Sequence, residues 1–509
     1  MIFFEQMKRA FLRQVLCLAS VLAAAAAPGA NLAVTNVSLK SALYTGRAAD
    51  VQCDVSWDAS WRASWTETAV TPSITLTNWD AAWLFVKYRS RDGSDTNWNH
   101  ASLGTNESDH TAPVGSTLRV GNSTNAGGTN FGAGVFLYRS AEGSGSWTNA
   151  GVRLRWLYGN DGVASTSRVD VCVHALEMVY VPEGSFYLGD GISTALAPAI
   201  TNITGQFENG KFTNAFLVTN ENNAIILGGG TDGSLGNNNR EGMTGSDDFS
   251  DTLTQTLAPS FPKGHGAFYC MKYEASRDQY LAFLSQLTYT QATNRTGNGA
   301  ISYVNAGYPA YTTAAPTTAA GELVWRDIAA YYDWAGLRPM TELEYEKACR
   351  GPLNPSPSEC AWDNTNAIRI TGITGEAGME MPVPTNANTS NNGNLYRCGI
   401  FATTNSTREG SGASYWGIME MSASLWERTI TIGNGTGRGF TGLHGDGKLE
   451  AGGNADVSSW PAAETGVGFR GGGPNPGTIF GLRVSDRIQA SLVWTTRYNS
   501  SIRAVRTAP

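Results

Sequence analysis

At 509 residues the chain is too long for one ordinary core, and its length implies two domains or three. Charged residues make up 16% and hydrophobic residues 41%, a globular composition that excludes wholesale disorder. A net charge of -7 excludes broad attraction to nucleic acid.

In chain order, residues 1–30 read as a signal peptide. Lys8, Arg9 and Arg13 supply the positive region, Val15 to Ala27 the apolar run, and small residues through Ala30 the cleavage sites. An uncleaved anchor is the rival reading, although the run is short for a bilayer span. No transmembrane segment is expected in the mature chain. Beyond the signal lie Cys53, Cys172, Cys270, Cys349, Cys360 and Cys398, an even set that fits disulfides in an exported protein. Cys53 with Cys172 is the expected pair, because both fall in the N-terminal part. No CxxC occurs, which argues against a zinc ribbon or a dithiol redox site.

Residues 31–175 predict an all-β, immunoglobulin-like sandwich. Short runs alternate at Leu32–Val37, Val51–Val55, Trp83–Tyr88, Val135–Tyr138 and Val152–Trp156, separated by Gly, Asn, Ser and Asp. Trp57, Trp61, Trp65, Trp79, Trp83, Trp98, Trp147 and Trp156 crowd this part. Core packing is the plain reading of these indoles, and a carbohydrate-stacking face is the alternative.

Residues 176–509 form the second part, of α+β character. Met178–Gly189 reads as a strand, a Pro182-Glu183-Gly184 turn and a second strand. Stretch 191–263 is rich in Gly, Asn and Thr and stretch 288–320 in Ala and Thr, and both read as surface insertions. Three helices are predicted: Ser276–Leu287 with Ser276 as cap, Trp325–Ala335, and Pro339–Gly351 with a Thr341/Glu344 capping box.

Six ordered blocks carry a resemblance. They are Val181-Pro182-x-Gly184-x-Phe186-x-Leu188-Gly189, Lys272-Tyr273-Glu274-Ala275-Ser276-x-x-Gln279-Tyr280, Leu337-Arg338-Pro339-Met340-Thr341-Glu342-x-Glu344-Tyr345-Glu346, Met421-x-x-x-Leu425-Trp426-Glu427, Phe469-Arg470-Gly471-Gly472 and Ile502-Arg503-Ala504-Val505-Arg506. Together, over Leu176 to Ala508, they resemble the sulfatase-modifying factor, or formylglycine-generating enzyme, family. The resemblance implies a C-type-lectin-like α+β fold. The residues themselves allow a plainer role, in which Arg338, Glu342, Glu344 and Glu346 form an ion-pair network.

The family's catalyst holds copper with two thiolates placed after the Arg-Gly-Gly motif. Here Gly473–Arg483 holds no Cys, and none follows Cys398, so copper and formylglycine synthesis are not expected. The five His show no paired metal-ligand spacing, and no catalytic residue is assigned. The family's calcium loop corresponds to Ala423–Glu427. Glu427 is retained and Ser424 stands where the family has Asn, a weaker ligand for a hard cation.

The last forty residues resemble the variable proteins of diversity-generating retroelements, in which a lectin-like domain displays a C-terminal variable region. Scaffold-like words such as Arg483–Arg487 alternate with irregular ones. The resemblance implies a ligand-binding face of Asn475, Thr478, Ile479, Phe480, Ile488, Gln489, Ser491, Leu492, Trp494, Tyr498, Asn499, Ser500 and Ile502. An ordinary buried terminal strand is the alternative. The expected function is a secreted, periplasmic or surface-displayed binder of a protein or carbohydrate. A sulfatase-modifying-type oxidoreductase and a purely structural exported protein are the other readings.

Overall fold

The computed structural model describes residues 31–509 apart from 41–45, 93–96, 126, 192–202, 212–213, 297–300, 403–406 and 476–480. The expected signal peptide lies outside the described residues. Among the described residues, no helix is long and apolar enough to cross a membrane.

Eight strands build the first part: β1 (Ala33–Lys40), β2 (Ala49–Glu67), β3 (Ile74–Ser90), β4 (Asn99–His100), β5 (Ser116–Thr124), β6 (Asn130–Arg139), β7 (Gly143–Trp156) and β8 (Val169–Val181). Register shifts after Cys53 and Trp57 interrupt the β2–β7 ladder. Such bulges bend a strand. The first half of β2 therefore pairs with β1, and its last residues, Arg62–Glu67, pair with Trp79–Ile74 of β3. All pairings in this sheet are antiparallel.

The β3–β8 layer is covered on both faces. Leu84 and Val86 of β3 and Val171 and Val173 of β8 meet Val51, Val55, Val152 and Leu154 in one buried core. On the other face, Trp83, Phe85, Leu176 and Met178 join a second core with the helices. That double burial explains why Ala81–Val86 reads as an unbroken apolar run rather than an alternating one.

The second part continues the same sheet. β15 (Phe268–Met271) pairs with the end of β8, and β21 (Val505–Thr507) pairs with β15. The expected boundary after residue 175 thus falls inside β8. β9 (Phe186–Leu188) pairs with β11 (Phe216–Val218) and not with β8, so the expected strand–turn–strand is not a hairpin.

The stretch 191–263, expected as a surface excursion, carries its own small sheet. β10 (Glu208–Asn209), β13 (Leu235–Gly236), β12 (Ile225–Leu227) and β14 (Gln255–Leu257) lie in that order. Phe207, Leu227, Phe249, Leu257 and Phe261 enter the helical core, which makes this stretch part of the fold.

The helices of eight residues or more are α1 (Arg277–Ser285), α2 (Tyr289–Thr296), α3 (Trp325–Trp334) and α4 (Glu342–Arg350). Ser276 caps α1, accepting from Gln279 N at 3.2 Å. Thr341 caps α4, and Glu344 accepts back from Thr341 N at 3.0 Å, closing the predicted box. α3 docks on the sheet through Trp334, whose ring centroid lies 5.1 Å from Phe85. β16 (Gly372–Thr374) and β17 (Met381–Val383) pair only with each other. Two short strands complete the core of the second part, β18 (Trp426–Ile430) and β19 (Val467–Arg470), with β20 (Ser500–Ser501) parallel to β18.

All six described cysteines are free and buried, so the expected Cys53–Cys172 disulfide is absent. Side chains alternate along a strand. Cys53 joins Val51 and Val55 in the sandwich core, whereas Cys172 alternates with Val171 and Val173 and turns away from it. Its sulfur lies 3.5 Å from His174 Nε2, on the helix-facing side. Two thiols on opposite faces of a layer cannot bond. Burial pushes the thiols of Cys53, Cys172, Cys270 and Cys360 up to about 12, so they stay protonated at neutral pH.

Candidate functional site at the C-terminal segment

The chain after Arg470 is held from below by buried charge. Arg470 donates to Glu342 at 3.1 Å and to Glu346 at 2.7 Å. Arg487 donates to Glu342 at 2.7 and 3.1 Å and to Asp247 at 2.7 Å. Burial would push Glu342 up, but Arg487 and then Arg470 outweigh it and hold it below the ordinary carboxylate range. Helix α4 therefore offers carboxylates as fixed anchors, and the expected ion-pair network is what forms. Arg338, from the same block, pairs with Glu344 at 2.6 Å.

Arg503 anchors the end of the segment. It donates to Glu427 at 2.7 Å and to the carbonyls of Met271 and Met419 at 2.9 Å each. Gly471 and Gly472 take φ of 85° and 78° where the chain leaves β19. A Cβ on Gly471 would stand 2.8 Å from the Met421 carbonyl, so a larger residue does not fit that turn.

Between these anchors the chain comes to the surface. Asn475, Val493, Trp494, Thr495 and Thr496 are exposed, and Ile488, Gln489, Ser491, Leu492, Tyr498 and Asn499 are half-buried. Trp494 is 39% exposed and leans on Tyr498, with ring centroids 5.3 Å apart. Backbone bonds fix this surface. Ile488 O accepts from Thr244 N at 2.7 Å, Tyr498 O from Leu323 N at 3.2 Å, and Asn499 O from Trp426 N at 2.9 Å. Thr478, Ile479 and Phe480 lie outside the described residues.

Two expected face residues belong to the interior instead. Ile502 is fully buried in the helical core, and Ser500 is buried with its hydroxyl on Leu323 O at 3.0 Å. Pairing of β20 with β18 draws Ser500 in, and the Ile502 carbonyl accepts from Ala275 N at 2.9 Å. In the residues of this final strand the buried-strand alternative describes the chain, and in 491–499 the exposed one does.

The calcium-loop residues are otherwise engaged. Both Glu427 oxygens are taken, one by Arg503 and the other by the Ser501 hydroxyl. The Ser424 amide donates to Ser390 Oγ at 3.0 Å. A different carboxylate group could approach a cation: Asp333, Asp446 and Asp456 bring ligand atoms within 4.8 Å of one another. Asp333 already accepts the amides of Asp446 and Asp456, each at 3.1 Å, so the cluster clamps the 445–456 loop to α3. Among the described residues, His174 and His444 serve packing and a backbone bond: His174 lies against Phe85 and Trp334, and His444 accepts from Thr507 N.

Beside Trp494 a cavity of about 850 Å³ opens between α2, the start of α3 and residues 495–497. Arg295, Arg326, Asp327 and Arg497 line it, with Asn294, Asn454, Thr495 and Thr496. Asp327 bonds Arg295 at 3.0 Å and Arg497 at 2.8 Å. Thr495, Thr496 and Arg497 escaped sequence reasoning, although they continue the irregular word that contains Trp494. Arg326 and Asn294 had no sequence signal, because the fold alone brings them there.

No family model matches the chain, and no curated protein matches it.

Proposed function

We propose that the chain is a secreted or surface-displayed binding protein that presents residues 488–499 as its recognition face. In this reading the second part is a sulfatase-modifying-factor-like domain of C-type-lectin-like fold, with a C-terminal segment open to diversification. One observation carries it: Arg470, Arg487 and Arg503 are buried and ion-paired, while the chain between them exposes Val493 and Trp494 at 48% and 39%. Buried anchors with solvent-facing intervals let side chains change without refolding the frame. Tyr, Trp, Ser and Asn, all present here, make effective contacts on such surfaces.

The test is a protein and glycan array probed with the mature chain and with a Leu492→Ser, Val493→Ser, Trp494→Ser variant. Ligands lost in the variant support the reading. Ligands bound equally by both proteins overturn the face, and turnover of a Cys-containing sulfatase peptide overturns the binder in favour of an oxidoreductase. Diversification is tested in neighbouring DNA. A reverse transcriptase gene and an imperfect repeat differing at adenines support it, and their absence reduces the chain to a static binder.

A further inference from the structure

The cavity beside Trp494 has a charge balance opposite to that of the whole protein. The chain carries a net -7, yet three guanidiniums line this cavity with one carboxylate, Asp327. Asp327 is shared between Arg295 and Arg497. Arg326 is exposed and makes no ion pair among the described residues. Neither neighbouring carboxylate takes the Arg326 side chain: Glu322 accepts from Ser302, and Glu450 from the lining Asn454 at 3.4 Å. Arg295 adds an observation independent of the count. It is 98% buried and donates to Asp327 and to the carbonyls of Arg326 and Gly453, yet its Nε has no hydrogen-bond partner. A buried N–H without an acceptor leaves positive partial charge unmatched beside the cavity.

The rest of the lining is hydroxyl and amide, from Asn294, Asn454, Thr495 and Thr496, and Val324 is the one large apolar side chain in it. Clustered guanidiniums also receive acidic peptide motifs, but here Arg326 is the one lining guanidinium without an ion pair among the described residues and the lining adds hydroxyls and amides, which favours a ligand with few acids and many hydroxyls over a run of carboxylates. Hydroxyls and amides match a polyhydroxylated ligand. The volume falls within the range of about 300–1,000 Å³ usual for small-molecule sites.

We propose that this cavity binds an acidic oligosaccharide, with Arg326 receiving a sugar carboxylate and the Thr and Asn side chains receiving its hydroxyls. The inference deepens the binding reading, since Thr495 to Arg497 belong to the same C-terminal segment. A guanidinium presents a planar fork that matches a carboxylate.

The experiment titrates the mature protein calorimetrically with trigalacturonate, its methyl ester and a hexaglutamate peptide. The trisaccharide acid is expected to bind, and the ester to bind about tenfold or more weakly. Arg326→Ala is expected to lose about tenfold for the acid and little for the ester. Its fold is protected, because Arg295 bonds the Arg326 carbonyl rather than its side chain. No binding of the acid, equal binding of acid and ester, or an unaffected Arg326→Ala overturns the proposal. Hexaglutamate bound as tightly as the uronate overturns the sugar. If the array finds face-dependent ligands while the uronate fails, only this inference falls. If uronate binding depends on Arg326 while the triple-Ser variant loses nothing on the array, the face falls and the cavity stands.

Discussion

Replacing Arg487 with Leu should loosen the C-terminal segment from beneath. The guanidinium is fully buried and touches two carboxylates, Glu342 and Asp247. Breaking one side of a buried pair typically costs about 3–5 kcal/mol. Arg470 still faces Glu342, and Asn237 and Ser491 still donate to Asp247, so the loss belongs at the low end, about 3 kcal/mol. The pH dependence has a definite sign. Glu342 sits below its ordinary 4.5 in the native protein, so its stabilisation is present above 4.5 and fades as pH falls through the native value. Without Arg487, burial pushes the same carboxyl up, and protonation relieves the variant first. Urea unfolding of both proteins from about pH 8 to about pH 4 should show a gap that narrows toward acid. Hydrogen exchange at residues 488–499 should quicken in the variant. A gap below about 1 kcal/mol at neutral pH, or one that widens toward acid, would refute the anchoring argument.

Ile502→Ala should cost about 2–5 kcal/mol in urea unfolding, whereas Val493→Ala should stay within about 0.5 kcal/mol, because one is buried and the other is not. Thr341→Ala removes the α4 cap and should cost about 1 kcal/mol, and Thr341→Ser should recover most of it. The six described cysteines should resist a thiol reagent in the native protein and all react in denaturant; fewer reactive thiols there would reveal a disulfide. Burial pushes Glu420 up to about 7 against the pull of Arg503, so its native form holds a proton that the unfolded chain releases above 4.5. Its contribution to stability is therefore lost as pH rises from 4.5 to about 7, and Glu420→Gln should flatten that part of the profile by no more than about 3 kcal/mol.

The elements most readable in the sequence were those with strong local signals. Helices α3 and α4 appear where the periodicity and the Thr341/Glu344 box place them. α2 was missed, although Thr288 and Gln291 form a reciprocal cap of the same type in a stretch that reads as loop. The strands inside 191–263 are two or three residues long, too short for alternation to show. The site divides in the same way. Buried Arg470, Arg487 and Arg503 stand out as fixed words, but only the tertiary fold decides that Ile502 turns inward and Trp494 outward. The Cys53–Cys172 expectation failed because proximity in sequence regions says nothing about which side of a layer each thiol occupies.

β8 begins in the sandwich and ends against β15, and Lys87 of β3 reaches across to the carbonyls of Trp334 and Gly447 at 2.6 and 3.0 Å. Along that strand the two parts share one ladder. A load applied at the amino-terminal end would travel through continuous ladder and shared interior to the frame beneath Trp494. Under the proposed binding reading, the orientation of the amino-terminal third would set the direction in which residues 488–499 point.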